Sequence, residues 1–167
     1  DELMKHFMNG YYGAAAPYLY QYEKLLEGGL LASQQPLWIF DSPVSHKDGM
    51  FNANCLKRYN ELFDKAEEAV AGNPELLDRV RTERLSLQFT ELEMSRATKG
   101  ANLEKVKKDL ALFKERVNYF GVTSWNERLN TPLDYCNLYE KRFLPKAEKN
   151  LAEEGTIIWI EGPTGNY

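Results

Sequence analysis

The clearest structural signal in this sequence is residues 53–98, ANCLKRYNELFDKAEEAVAGNPELLDRVRTERLSLQFTELEMSRAT. Its first part spaces apolar side chains three or four positions apart, which lays them along one face of a helix. That spacing predicts a helix over 53–71, and its stripe is Leu56, Tyr59, Phe63, Ala66 and Val70. Gly72, Asn73 and Pro74 then supply a C-terminal cap, a new N-cap and a proline in the first turn, so a second helix is predicted over 74–98.

The sequence beyond residue 98 carries the same helical spacing. Asn102 is a predicted N-cap, and the third helix that follows it has the stripe Leu103, Val106, Leu110, Phe113, Val117 and Phe120. Thr131, Pro132 and Asp134 have the residue types of an N-cap, a first helical position and an acidic first turn. They predict a fourth helix, which Pro145 is expected to kink or break.

The amino-terminal third is less regular. A short apolar helix is predicted to end at Asn9 and Gly10, and a second helix near Pro17 is predicted to end at Gly28 and Gly29. Residues 33–52 contain prolines and a glycine without a helical period, which predicts a long loop. Near the other end of the chain, residues 156–160 are β-branched and aromatic and predict a short strand.

Together these patterns predict an all-α protein, an antiparallel helical bundle of about four to five helices with one long loop and a short C-terminal strand. Residues 1–155 are assigned to the helical domain, and residues 156–167 to a tail or linker. Since the chain opens at Asp1 without an initiator methionine or a signal segment, we expect it to be a processed piece of a longer protein.

The composition argues against several classes of function. The chain has 167 residues, of which 43% are hydrophobic, and a formal net charge of −4. No apolar run approaches the roughly 18 residues of a membrane helix, so no membrane span is expected. Basic residues are scattered among acidic ones, so no nucleic acid partner is expected. Cys55 and Cys136 fit neither a disulfide framework nor a zinc site; they are predicted to be buried thiols, with a bridge between them left open, and no metal or cofactor is predicted.

The sequence shows neither a pair of carboxylates nor a nucleophile beside a base, so no catalytic residue is predicted. His6 lies in an apolar helix and is expected to pack there. His46 lies in the long loop with Trp38, Asp41, Lys47 and Asp48, a combination that allows two interpretations. Either the loop is anchored by its aromatic residues and its charged side chains are solvated, or these aromatic and hydrogen-bonding groups hold a polar ligand. Trp125 and Trp159 are expected to be packing residues.

The amino-terminal helices resemble a known family. The carrying segments are residues 7–18, FMNGYYGAAAPY, then residues 59–70, YNELFDKAEEAV, and the region from Asn73 to Glu93. They resemble the helical part of the bacterial domain-of-unknown-function family 4838, whose members have a glycoside-hydrolase-like architecture. The likeness covers roughly residues 3 to 96. It implies an exported protein of polysaccharide-degrading bacteria, periplasmic, outer-membrane-associated or secreted, in which a (β/α) barrel precedes this helical part and holds any catalytic carboxylates.

On this resemblance the chain itself is not an enzyme, while the full-length parent is a possible glycoside hydrolase. The expected function is that of a non-catalytic C-terminal helical domain that packs against the barrel of the same polypeptide. Tyr11, Tyr12, Trp38, Asp41 and His46 are the expected barrel-facing or sugar-contacting residues, which makes carbohydrate a second candidate partner. The alternative is a free-standing helical module that binds a protein or a glycan.

Overall fold

The computed structural model describes residues 1–98, 101–124 and 131–154, and side chains as far as Lys149. The chain divides into two compact units, Asp1–Leu87 and Gln88–Tyr167, and the division falls inside a helix. The described residues form helices and turns without a strand, so the predicted all-α helical class is confirmed. None of the helices in these ranges is long and apolar enough to cross a bilayer. The predicted strand at 156–160 and the tail lie outside the described residues.

The first unit contains three helices and the first part of a fourth. These are α1 (Glu2–Tyr12), α2 (Ala16–Ser33), α3 (Ala53–Ala69) and α4 (Pro74–Ala97). A short 3₁₀ turn, Gly13–Ala15, joins α1 to α2. The core of the unit is formed by buried apolar side chains from these elements, among them Leu19, Tyr22, Tyr59, Phe63, Ala66 and Val80. The stripe predicted from the spacing in 53–71 therefore faces the core of this unit.

The second unit begins within α4 and continues through three further helices. These are α5 (Leu103–Tyr119), α6 (Pro132–Leu138) and α7 (Leu144–Glu154), with a π-helical turn at Tyr139–Phe143 between the last two. The predicted N-caps are confirmed, because Asn102 accepts from the Lys105 amide and Thr131 forms a capping box with Asp134. The regular α-helix is interrupted just before Pro145, as its missing N–H and bulky ring predict.

Two predicted helix ends are wrong, and both errors concern glycine. Helix α1 runs through Gly10, and α2 runs through Gly28 and Gly29. A glycine inside a helix costs about 1 kcal/mol relative to alanine. At Gly10 the buried Met8 and Tyr12 on either side outweigh this cost. At Gly29 a Cβ would lie 3.1 Å from the Cα of Met50, so the missing side chain lets the loop pack against α2. The true break comes at Gly13, whose φ of +56° suits glycine.

Candidate functional site

The long loop between α2 and α3, residues 34–52, is fixed to the core at its far end. The Tyr59 hydroxyl donates to the Met50 carbonyl at 2.8 Å, and this bond is buried. The Met50 backbone also packs closely against Gly29 of α2. Asn52 then caps α3 by accepting from the Cys55 amide at 3.0 Å. The last part of the loop is therefore held by side-chain and backbone contacts to both flanking helices.

His46 is the centre of the loop. It ends the 3₁₀ turn Pro43–His46, and only 2% of its surface is exposed. Its carbonyl accepts from the amides of Gly49 at 3.0 Å and Phe51 at 3.1 Å. Its ring nitrogen Nε2 lies 3.1 Å from Asp41 Oδ2, where an N–H donates to the carboxylate. His46 thus ties the end of the loop to its middle.

Asp41 continues this chain of contacts toward the surface. The same oxygen, Oδ2, accepts from the backbone N–H of Trp38 at 3.0 Å, and the Asp41 amide donates to the Trp38 carbonyl at 3.0 Å. The Trp38 N–H, with the His46 ring as a smaller contributor, holds the pKa of the Asp41 carboxyl below its usual value. Residues 38–41 therefore form a closed turn built around one carboxylate.

The segment held by this turn exposes four consecutive apolar side chains. Their exposed fractions are 60% for Leu37, 68% for Trp38, 83% for Ile39 and 81% for Phe40. We call residues 37–40 the apolar tip. Several consecutive exposed apolar side chains are typical of an interaction site, whereas isolated exposed apolar residues are common on any protein surface. Trp and Phe are also the large side chains that contribute most to binding at interfaces.

The loop does not have the geometry of a catalytic site. The buried Nδ1 of His46 has no hydrogen-bond partner, so no hydroxyl or thiol among the described residues is positioned for activation by this ring. Among the described residues of the whole chain, no three His, Cys, Asp or Glu side chains lie close enough together to hold a metal ion. The arrangement presents an apolar surface on a fixed base, a geometry that suits binding.

The five residues expected at the surface do not form one site. Trp38, Asp41 and His46 are joined by hydrogen bonds, but only Trp38 is largely exposed. Tyr12 is a core residue whose hydroxyl donates to Glu83 at 2.9 Å, and burial, followed by the Glu83 charge, raises the pKa of Tyr12. Tyr11 is partly exposed and stays on the surface of α1.

Helix α1 carries a second exposed apolar surface, which the sequence reasoning missed. Beside the buried Met8 and Tyr12, it leaves a row of large apolar side chains exposed: Leu3, Met4, Phe7 and Tyr11. The rings of Phe7 and Tyr11 stack at 5.4 Å, and the Arg79 guanidinium lies 4.5 Å from the Tyr11 ring centre. The sequence did contain a signal for this surface. Helix α1 has more apolar residues than one buried face of so short a helix can hold.

The histidine and cysteine predictions have mixed outcomes. His6 is exposed on α1, so its expected packing role is wrong, because the helix turns it away from the face that holds Met8. Both cysteines are free, and the predicted burial is confirmed for Cys136, whose pKa burial raises to about 11. Cys55 is half-buried. Trp125 and Trp159 lie outside the described residues.

Sequence reasoning also missed a pair of carboxylates. Glu23 on α2 lies within range of the charge of Glu83 on α4. Burial, followed by the Glu83 charge, raises the pKa of Glu23. The Tyr12 hydroxyl donates to Glu83, so the pair is integrated into the packing of the first unit. The spacing of residues in the sequence does not predict this pair, because Glu23 and Glu83 lie on helices that come together only in the folded chain.

The comparisons with known proteins add no relative to these observations. Comparison of the chain with protein-family models, with curated proteins and with solved structures gives no match in any of the three.

Proposed function

We propose that this chain is a non-catalytic helical domain of an exported glycoside-hydrolase-like protein, and that its apolar tip packs against a (β/α) barrel of the same polypeptide. The observation that carries the proposal is the exposure of four consecutive apolar side chains on a loop whose base is fixed. The resemblance of residues 3 to 96 to family 4838 supports the choice of a barrel as the partner.

The energetics favour a partner surface over solvent. Burying one large apolar side chain contributes about 1.5–3 kcal/mol relative to leaving it exposed. Leu37, Trp38, Ile39 and Phe40 are largely exposed to water, so most of the free energy that their burial would contribute is still to be gained. A surface that covers all of them would gain several kcal/mol after the cost of ordering its own side chains. Trp38 is in addition the side chain of this tip best suited to stack on a sugar at the edge of the barrel.

The first test is the reading frame upstream of Asp1, which should encode several hundred residues of alternating strands and helices. A frame without such a region would refute the proposal. Where the region exists, the barrel is produced separately and its affinity for this chain is measured by calorimetry. Hydrolysis of oligosaccharides by this chain alone would contradict the non-catalytic assignment.

Two variants decide whether the apolar tip carries the contact. Trp38→Ala should weaken binding to the separate barrel by about 30-fold, because truncating a central interface aromatic typically costs about 2 kcal/mol or more. The control is Tyr119→Ala, which removes an exposed aromatic side chain from α5 in the other unit. Equal affinities of the two variants for the barrel would show that the apolar tip is not part of the interface.

A further inference from the structure

We propose that Asp41 and His46 form a latch that holds the apolar tip in its binding conformation without touching the partner. The inference rests on the proposed function, and it assigns to these two residues a positioning role. Asp41 and His46 are joined by their side chains, while the apolar tip is the part of the loop that faces outward.

The latch completes a continuous path from the core to the tip. Tyr59 holds the Met50 carbonyl, and the neighbouring amide of Phe51 donates to the His46 carbonyl. The His46 ring then reaches Asp41, and Asp41 holds the backbone N–H of Trp38. Each step is a hydrogen bond of 2.8–3.1 Å. The position of Trp38 is thereby linked to a buried tyrosine of α3.

Asp41 is the step at which the path is most easily cut. One oxygen accepts both the Trp38 N–H and the His46 ring, so its loss releases both groups together. The Asp41 side chain is partly exposed, with 23% of its surface accessible, whereas His46 is buried. Removing the carboxylate should therefore loosen the loop while leaving the core intact.

A loosened tip must be ordered again when it binds. Fixing a free backbone opposes association, and a segment held in its bound conformation in advance avoids that cost. Since the latch fixes the turn at residues 38–41, its removal should weaken binding even though every apolar side chain of the tip is still present. The expected loss of affinity is about ten-fold or more.

The test compares Asp41→Ala with Asp48→Ala. Asp48 is an exposed acid of the same loop, so its replacement removes the same charge without opening the turn. Amide exchange at Trp38, measured by NMR on the isolated chain, should become about ten-fold faster in Asp41→Ala and stay unchanged in Asp48→Ala. Asp41→Asn keeps an acceptor oxygen and should retain most of the protection. Unchanged exchange in Asp41→Ala would overturn the latch without reference to any partner.

The second measurement is the affinity of the same variants for the separate barrel. Asp41→Ala should bind about ten-fold more weakly than Asp48→Ala. If Trp38→Ala weakens binding and Asp41→Ala does not, the latch has no role in docking and the proposed function stands. If Trp38→Ala also leaves the affinity unchanged, the proposed function fails and the docking role of the latch fails with it.

Discussion

Replacing Glu93 by alanine should destabilise the second unit more than any exposed substitution on it. The Glu93 side chain is 3% exposed. One carboxylate oxygen accepts from the Tyr135 hydroxyl at 2.8 Å and from Nε of Arg96 at 3.1 Å, and the other oxygen accepts from a second nitrogen of Arg96. A single buried carboxylate thus satisfies one buried hydroxyl and one guanidinium.

The magnitude follows from what the substitution leaves behind. Breaking a buried ion pair by removing one partner costs about 3–5 kcal/mol, because the other charge stays buried without compensation. Arg96 keeps 17% of its side chain exposed and can reach water, which favours the lower end of that range. Tyr135 is buried and loses the acceptor of its hydroxyl. The expected decrease in the free energy of unfolding is therefore about 3 kcal/mol.

The assay is urea unfolding of the whole chain, followed by near-ultraviolet circular dichroism. Glu93→Gln keeps an acceptor for Tyr135 and should lose less stability than Glu93→Ala. Glu115→Ala is the matched control, because it removes an exposed acid from α5 and should change the free energy of unfolding by less than about 0.5 kcal/mol. A Glu93→Ala variant as stable as the Glu115→Ala control would refute the reasoning.

Three further predictions concern individual groups. Tyr59→Phe should lower the free energy of unfolding by about 1–3 kcal/mol in the same urea assay, because it leaves the buried Met50 carbonyl of the loop without its donor. The control is Tyr18→Phe, which removes a hydroxyl from a half-buried residue of α2 and should be nearly neutral. A thiol-reactive disulfide reagent at about pH 8 should modify Cys55 first and leave Cys136 intact until the chain unfolds, since burial raises the pKa of the Cys136 thiol to about 11. The hydrogen bonds from Thr131 lower the pKa of Asp134 below its ordinary value of 3.8. The stability that the carboxylate contributes is therefore fully present above pH 3.8 and is lost as the pH falls through the lowered pKa. In an acid titration of the free energy of unfolding, Asp134→Asn should lack this loss.

Much of the helical architecture was predictable because its signals are local. The three-four spacing of Leu56, Tyr59 and Phe63 is a property of a short segment, and so are the caps at Asn102 and Thr131. The errors at Gly10 and at Gly28 and Gly29 have the opposite origin. The glycines were treated as stops on propensity alone, while packing against distant parts of the chain favours the continuous helix.

The candidate site was predictable only in part. Trp38, Asp41 and His46 were identified because a polar and aromatic loop is a common place for binding residues, and the structure does join them. Their roles differ from the expectation, since His46 is buried as an anchor and the exposed surface is the apolar tip. Tyr11 and Tyr12 are adjacent in the sequence but lie on different sides of α1, one toward solvent and one toward Glu83.

The amino-acid sequence alone determined the helical class, the caps and the position of the long loop, because these depend on side chains within a few residues of one another. Only the tertiary structure decided which apolar residues remain outside the core. Phe7 and Tyr11 fit a helical stripe as well as Met8 does, and Trp38 is as apolar as any core residue. Burial requires a neighbouring surface, and no element in the described part of the chain covers these side chains completely.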